Sequence, residues 1–131
     1  EMLQPLYEPW ESDKIAVNTR TAEMTKYANN SLLATQISAV NELANIAAAI
    51  GGIDILDVMK GVHADKRWSP ILPNNSRIYP EILTYLFPGS GFGGSCIPKD
   101  VQALRSKACE VGVEPHILDA VLKVNKNKPH Q

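Results

Sequence analysis

A long segment without glycine or proline, Thr21 to Ile50, constrains the fold of this chain more than any other feature. It is rich in Ala, Leu, Glu and other strong helix formers, so we predict one α-helix of about 30 residues, on the order of 45 Å long. Thr21 is placed to cap its N-terminus, Glu23 falls in the first turn, and Gly51-Gly52 end it. A helix of this length crosses more than one neighbour.

Two adjoining apolar stripes run along this predicted helix. The first contains Leu33, Ile37, Val40, Ala44 and Ala47, and the second contains Leu32, Ala39, Leu43, Ile46 and Ile50. So broad an apolar face favours burial on several sides. In a small domain a second copy of the chain can supply that cover, so we predict a homodimer paired through the long helix.

The rest of the chain is predicted to be mostly helical. Residues 1–18 contain two prolines and the short β-prone run Ile15-Ala16-Val17, and are interpreted as a linker and one strand whose partners belong to a preceding domain. Residues 62–80 are predicted to be a loop, while residues 81–87 fit a strand or a helix equally well. Further helices are predicted from Asp54 to Lys60, closed by Gly61, from Pro98 as first residue to Gly112, and from Pro115 to near Asn127.

Composition excludes several classes of protein. The chain has 131 residues, 44% of them hydrophobic, and its 13 Lys and Arg against 14 Asp and Glu give a formal net charge of −1. It therefore lacks the positive field of most nucleic-acid-binding proteins. No apolar run approaches the roughly 20 residues of a membrane span. We expect a cytoplasmic protein with free thiols, with Cys109 in the core, and no metal site, because the three histidines lack ligand spacing.

The segment before the third predicted helix has the features of a reactive thiol. Cys96 follows the glycine run that starts at Gly89, immediately precedes a helix, and has Lys99 close behind it. The positive end of a helix and a nearby ammonium group both favour the thiolate, which is the nucleophilic form. The alternative is a small packing cysteine after a glycine turn.

Gly89, Gly91 and Gly94 also satisfy the G-x-G-x-x-G pattern of dinucleotide-binding proteins. That pattern requires a strand before it and a return strand after the following helix. Here Val111-Gly112-Val113 leads directly into another helix, so we reject the match.

Lys26 and Asn30 are four residues apart and share one face of the long helix, in line with Leu33 and Ile37. An ammonium group entering an apolar face needs water, a partner or a ligand anion, because burying an unpaired charge is costly. The two interpretations are a ligand-binding lysine and a lysine that reaches solvent at the helix end.

Several motifs in order resemble those of the nucleotide-sugar dehydrogenases, which include UDP-glucose and GDP-mannose 6-dehydrogenases. The resemblance covers about residues 19–128 and is to the central domain of these enzymes, an all-α domain of the 6-phosphogluconate dehydrogenase C-terminal type. The matching motifs are residues 22–30, Asn41-Glu42-Leu43-Ala44, Asp65-Lys66-Arg67, residues 91–100 and Val124-Asn125.

The resemblance implies an enzyme that oxidises the C6 alcohol of a nucleotide sugar to a carboxylate in two NAD-dependent steps, for polysaccharide precursor synthesis. Cys96 corresponds to the nucleophile, which forms a thiohemiacetal and then a thioester. Lys26 and Asn30 correspond to residues that stabilise the oxyanion or hold the hydrolytic water. Asp100 corresponds to a group that assists proton transfer or positions that water.

The resemblance also implies a substrate site, a partner subunit that contributes to it, and a preceding domain. Backbone at Tyr85, Leu86 and Gly93 lies along the nucleotide sugar in the family, and Lys99 supports the thiolate or the phosphates. Arg67 corresponds to an arginine that reaches the sugar bound by the partner subunit, although residues 68–84 here separate it from the glycine loop. A Rossmann domain that binds NAD precedes this region in the family, so residues 1–18 are its exit strand and linker and residues 19–131 the central domain.

The sequence is also compatible with two functions other than a nucleotide-sugar dehydrogenase. One is a non-catalytic helical dimerisation module, as in an inactive paralogue. The other is an unrelated cysteine hydrolase, which requires a histidine base near the thiol. Within the family, the substrate is a UDP-glucose, UDP-N-acetyl sugar or GDP-mannose type of nucleotide sugar.

Overall fold

The structure, a computed structural model, describes residues 13–127. Helix α1 spans Thr19–Ile50, α2 Ile55–His63, α3 Cys96–Glu110 and α4 His116–Lys126, and a short 3₁₀ helix covers Glu81–Tyr85. Within residues 13–127 there is no strand, and an isolated antiparallel bridge joins Ile71 and Arg77. The prediction of an all-α domain with one long helix is therefore confirmed.

The N-terminus of α1 differs from the prediction. Asn18, not Thr21, is the capping residue: its backbone is extended and its side-chain Oδ1 accepts a hydrogen bond of 2.8 Å from the Thr21 N–H. Both residue types make good caps, so the choice depends on where the backbone leaves the helix. Glu23 consequently lies beyond the first turn. At the other end Gly51 stops the helix as predicted, with φ 82°.

Two other helix boundaries also shift. α2 continues through Gly61 to His63, so this glycine lies inside the helix and does not close it. α3 begins at Cys96, which makes Pro98 its third residue, and ends at Glu110 before Gly112. Proline fits anywhere in the first turn because those N–H groups have no partner within the helix. Cys96 itself is therefore the first helical residue.

Two hydrophobic clusters hold the helices together. The first joins α1, α3 and α4 with the loop before α3, and consists of Ala34, Phe92, Val101 and Val121. The second joins α1 to α2 and the 3₁₀ helix, and consists of Val40, Met59, Leu83 and Leu86. The glycine loop and α3 are thus positioned by the first cluster, against the middle of α1.

The two apolar stripes of α1 have different environments. The first stripe faces the core: Val40 and Ala47 are buried, and its other members are half-buried. Helical geometry turns the second stripe away from the first by about 100°, and all its residues are exposed, up to 68% for Ile50. Residues 13–127 therefore leave the second stripe uncovered. None of the helices within residues 13–127 has both the length and the apolar character that a membrane crossing needs.

The prediction for residues 1–18 concerns mostly the part of the chain outside the structure. Residues 1–12 lie outside the described range, and residues 13–17 have no regular secondary structure. The interpretation of this segment as a linker and the exit strand of a preceding domain stays a prediction.

Candidate active site

Cys96 lies where the glycine loop enters α3. Its side chain is exposed, and the Ser95 hydroxyl lies 3.7 Å from its Sγ. Ser95 is the N-cap residue, but its side chain makes no capping hydrogen bond. The N–H groups of this first turn have no acceptor within the helix, so the end of α3 favours negative charge near the thiol.

Asn30 and Asp100 meet in space although they are 70 positions apart in sequence. Asn30 Nδ2 donates a hydrogen bond of 2.6 Å to Asp100 Oδ2, and Asp100 is buried. Asp100 lies one turn after Cys96 on the same face of α3, because positions four apart align on a helix. The bond therefore ties the thiol-bearing turn to α1.

Lys26 lies one turn before Asn30 on the same face of α1. Its side chain is exposed, and within residues 13–127 it makes no ion pair. The first turns of α1 face the second half of α3 across a groove of about 650 Å³, lined among others by Arg20, Tyr27, Ala103 and Lys107. Since Asn30, later in α1, contacts Asp100, near the start of α3, the two helices are antiparallel here. Lys26 and Cys96 thus flank the Asn30–Asp100 bond from opposite sides.

Arg67 is engaged with a neighbour in its own turn. Its Nε and Nη2 donate hydrogen bonds of 3.0 and 2.9 Å to the two carboxylate oxygens of Asp65, and its backbone N–H donates to the same group at 2.8 Å. The Arg67 side chain is 82% exposed. The hydrogen bonds from Arg67 lower the pKa of Asp65 to about 2. Within residues 13–127, Arg67 makes no hydrogen bond to Cys96, Asn30 or Asp100.

We expect the Asp65–Arg67 pair to govern the acid titration of this turn. Because the pKa of Asp65 is lowered, the pairing stabilises the turn above the ordinary value of 3.8 and is lost as the pH falls through about 2. An NMR titration should give a midpoint near 2 for the Asp65 carboxyl, and Arg67→Gln should move it toward 3.8. Arg77→Gln is the control, because Arg77 Nη1 donates to the Ala64 carbonyl instead. A wild-type midpoint at the ordinary value would contradict this assignment.

The other residues predicted to bind substrate lie in the part of the chain between the 3₁₀ helix and the first turn of α3. Tyr85 ends the 3₁₀ helix with an exposed ring, whereas the side chain of Leu86 is buried in the second cluster. Gly93 and Lys99 are exposed on either side of Cys96. Only backbone at Leu86 is left to contact a ligand, and its N–H already donates to the Leu83 carbonyl.

Two asparagines contact the glycine loop, and neither was predicted from the sequence to have a role of its own. Asn41 accepts a hydrogen bond of 2.9 Å from the Gly89 N–H. Asn125 accepts one of 2.8 Å from the Phe92 N–H and donates one of 3.1 Å to the Phe92 carbonyl. A signal existed for Asn41, since it lies beside Val40 on a buried part of a helix, where an amide needs a partner.

Cys109 is exposed, so the prediction that it is a core residue is wrong. It lies near the C-terminus of α3, beside Gly112, Pro115 and His116, where α3 extends past the first cluster. Both cysteines of the chain are free thiols. Within residues 13–127 no group of three His, Cys, Asp or Glu side chains could hold a metal ion.

Comparison with known proteins gives a consistent result. Residues 20–127 match the central domain of the UDP-glucose/GDP-mannose dehydrogenase family. A UDP-glucose 6-dehydrogenase of Rickettsia conorii is 39% identical over 129 residues, which is 98% of this chain and 27% of that protein. A GDP-mannose 6-dehydrogenase of Pseudomonas putida is 38% identical over 128 residues, or 98% of this chain and 26% of that protein.

A solved structure shows the same fold. A UDP-glucose dehydrogenase from the archaeon Pyrobaculum islandicum superposes with a TM-score of 0.78 at 36% identity, over 95% of this chain and 26% of that one. The chain thus spans about a quarter of the length of the relatives it matches.

Proposed function

The chain belongs to the UDP-glucose/GDP-mannose dehydrogenase family, and we propose on that basis that it is the central, cysteine-bearing domain of an NAD-dependent nucleotide-sugar 6-dehydrogenase. The reaction is the oxidation of the C6 alcohol of a nucleotide sugar, of the UDP-glucose type, to a carboxylate. The observation that carries the proposal is the exposed Cys96 at the start of α3, one turn from the Asn30–Asp100 hydrogen bond.

Cys96 is the nucleophile in this proposal. Its thiolate adds to the aldehyde carbon derived from C6, which gives a thiohemiacetal, and the thioester formed by the second oxidation is hydrolysed by water. The first turn of α3 stabilises the thiolate through its free N–H groups. Exposure of the side chain leaves room for a sugar to approach.

The polar groups beside the thiol have complementary roles in the proposed reaction. Lys26 stabilises the oxyanion that develops on the substrate, since its ammonium group has no partner within residues 13–127. Asp100 positions the hydrolytic water or assists its deprotonation, and Asn30 orients Asp100 through their 2.6 Å hydrogen bond. One Nδ2–H of Asn30 is therefore committed to Asp100, and its second N–H is available to the oxyanion or the hydrolytic water.

The nucleotide sugar is proposed to lie along the segment from Tyr85 to Lys99. Tyr85 and Gly93 are exposed to a ligand, and backbone at Leu86 is the remaining contact there. Lys99 is exposed close to Cys96 and is suited to the phosphates or the thiolate. Arg67 points into solvent from its own turn, so we assign its sugar contact to the partner subunit's site.

NAD supplies the hydride acceptor for both oxidations when it is bound. The described residues do not form a dinucleotide site, because the glycine loop joins a 3₁₀ helix to α3 and no strand lies within residues 13–127. We therefore place the cofactor in a Rossmann domain that precedes residue 19. We also propose that the complete polypeptide is cytoplasmic.

We propose that the second stripe of α1 is the interface of a homodimer. Replacing Ile46, which is 50% exposed on this stripe, with glutamate should place a charge in the interface and shift the complete polypeptide from dimer to monomer. Sedimentation velocity at several concentrations measures this shift. Asn45→Glu introduces the same side chain at an exposed position off the stripe and should leave the dimer intact. A wild-type protein that sediments as a monomer at high concentration would refute the interface.

The activity itself is tested with the complete polypeptide. NADH formed per sugar consumed is measured with UDP-glucose, a UDP-N-acetyl sugar and GDP-mannose. We expect about two NADH per sugar on UDP-glucose, because oxidation of an alcohol to an acid removes four electrons. A preference for another sugar corrects the substrate, and no NADH on any of them favours the non-catalytic dimerisation module.

A further inference from the structure

The loop that leads to Cys96 is hydrogen-bonded at two points, Gly89 and Phe92, to asparagine side chains from two different helices. Asn41, in the second half of α1, accepts a hydrogen bond of 2.9 Å from the Gly89 N–H through its Oδ1. Asn125, from the end of α4, bonds both backbone groups of Phe92, at 2.8 and 3.1 Å. The loop between these points contains Gly91, whose φ of 94° needs a residue without a side chain.

The chemistry of an amide explains why asparagine occupies these positions. Asparagine is a poor helix former, and a buried amide is costly unless it is hydrogen-bonded. Asn41 is only 1% exposed, yet it lies inside α1. The Asn125 side chain offers a donor and an acceptor side by side, so one residue satisfies both backbone groups of Phe92.

The Cys96 thiol lies between two residues that are held in place, Phe92 in the loop and Asp100 in α3. Phe92, which is 6% exposed, is fixed by its backbone through Asn125 and by its ring, which packs in the first cluster. Asp100 is fixed by burial and by Asn30. Cys96 lies midway between them, and the connecting residues 93–95 are exposed. Ile97, the residue after Cys96, packs against the first cluster, so the α3 side of the thiol is held. On the loop side, the position of Cys96 depends on how firmly Phe92 is held.

We propose that Asn125 and Asn41 are positioning residues that fix the loop before α3 and thereby place the Cys96 thiol for attack. The inference rests on the proposed function in so far as it treats Cys96 as the nucleophile. Neither asparagine touches the thiol; both act through the backbone of the loop. Misplacing a reacting atom by about 1 Å is enough to lower a rate by on the order of 100-fold.

The test replaces single asparagines with leucine in the complete polypeptide. Leucine has a similar size and a better helix propensity, so the change removes the amide without opening a large cavity. Asn125→Leu leaves both buried backbone groups of Phe92 without partners, so the loop must move to let them reach water. Asn127→Leu is the matched control, because Asn127 is exposed and follows directly after the same helix as its C-cap residue.

Hydrogen exchange at the Phe92 amide and steady-state kinetics are measured together. For Asn125→Leu we expect exchange at least about 10-fold faster and kcat at least about 10-fold lower, with KM within about 3-fold and the melting temperature near that of Asn127→Leu. Unchanged exchange would overturn the role of Asn125 in holding the loop. Faster exchange with wild-type kcat would overturn its role in positioning the thiol.

A second variant and a second readout keep the two proposals distinguishable. If Asn125→Leu does not fold, Asn41→Leu is judged by the same criteria, with exchange at the Gly89 amide. If the wild-type protein forms no NADH, the proposed function fails, and the ratio of iodoacetamide alkylation rates at Cys96 and Cys109 replaces kcat. A ratio changed by about 3-fold or more in Asn125→Leu supports the positioning role, and an unchanged ratio overturns it.

Discussion

Replacing Cys96 with serine should lower kcat of the complete polypeptide for NADH formation by on the order of 1,000-fold or more. A serine hydroxyl is protonated near neutral pH and no histidine lies near it in sequence to act as a base, so attack on the aldehyde carbon stops. The exposed thiol at the first turn of α3 is the basis for this expectation. The measurement is NADH formed per second at saturating nucleotide sugar and NAD.

Cys109→Ser is the matched control for this experiment. Cys109 is also an exposed thiol on α3, but it lies at the far end of the helix from the glycine loop. We expect its kcat to stay within about 2-fold of wild type, as is usual for an exposed position away from the chemistry. A Cys96→Ser enzyme that kept more than a tenth of the wild-type rate would show that the thiol is not the nucleophile.

Replacing Phe92 with alanine should lower the free energy of unfolding of the 131-residue chain by about 3 to 5 kcal/mol. Phe92 is 6% exposed and its ring packs with Ala34, Val101 and Val121, so removal of the ring leaves a cavity between α1, α3 and α4. A loss of this size is a large fraction of the stability of an ordinary domain. Urea denaturation followed by far-UV circular dichroism measures it.

Tyr79→Ala removes a ring of similar size from a position that is 69% exposed. Because little of that ring is withdrawn from water, we expect a loss below about 1 kcal/mol. A comparable loss for the two variants would mean that Phe92 does not anchor the core. The backbone bonds from Phe92 to Asn125 do not involve the ring, so Phe92→Ala and Asn125→Leu separate packing from the fastening of the loop.

Much of the candidate site could be found from local patterns in the sequence. Cys96 before a helix, and Lys26 with Asn30 on one helix face, each involve residues within a few positions of one another. Such patterns need only the periodicity and the end effects of a helix. The Asn30–Asp100 bond and the contacts of Asn41 and Asn125 were not predicted, because each joins residues at least 33 positions apart.

Local sequence alone determined that this chain is helical, since propensity and the glycine run at Gly51 act over a few residues. It left the cap open between Asn18 and Thr21, and it placed Cys109 in a core from which the structure excludes it. Tertiary packing decided which stripe of α1 is buried, because burial depends on which helices lie alongside. It also decided which amides hold the loop of Cys96, since hydrogen bonds between distant segments form only once the helices have docked.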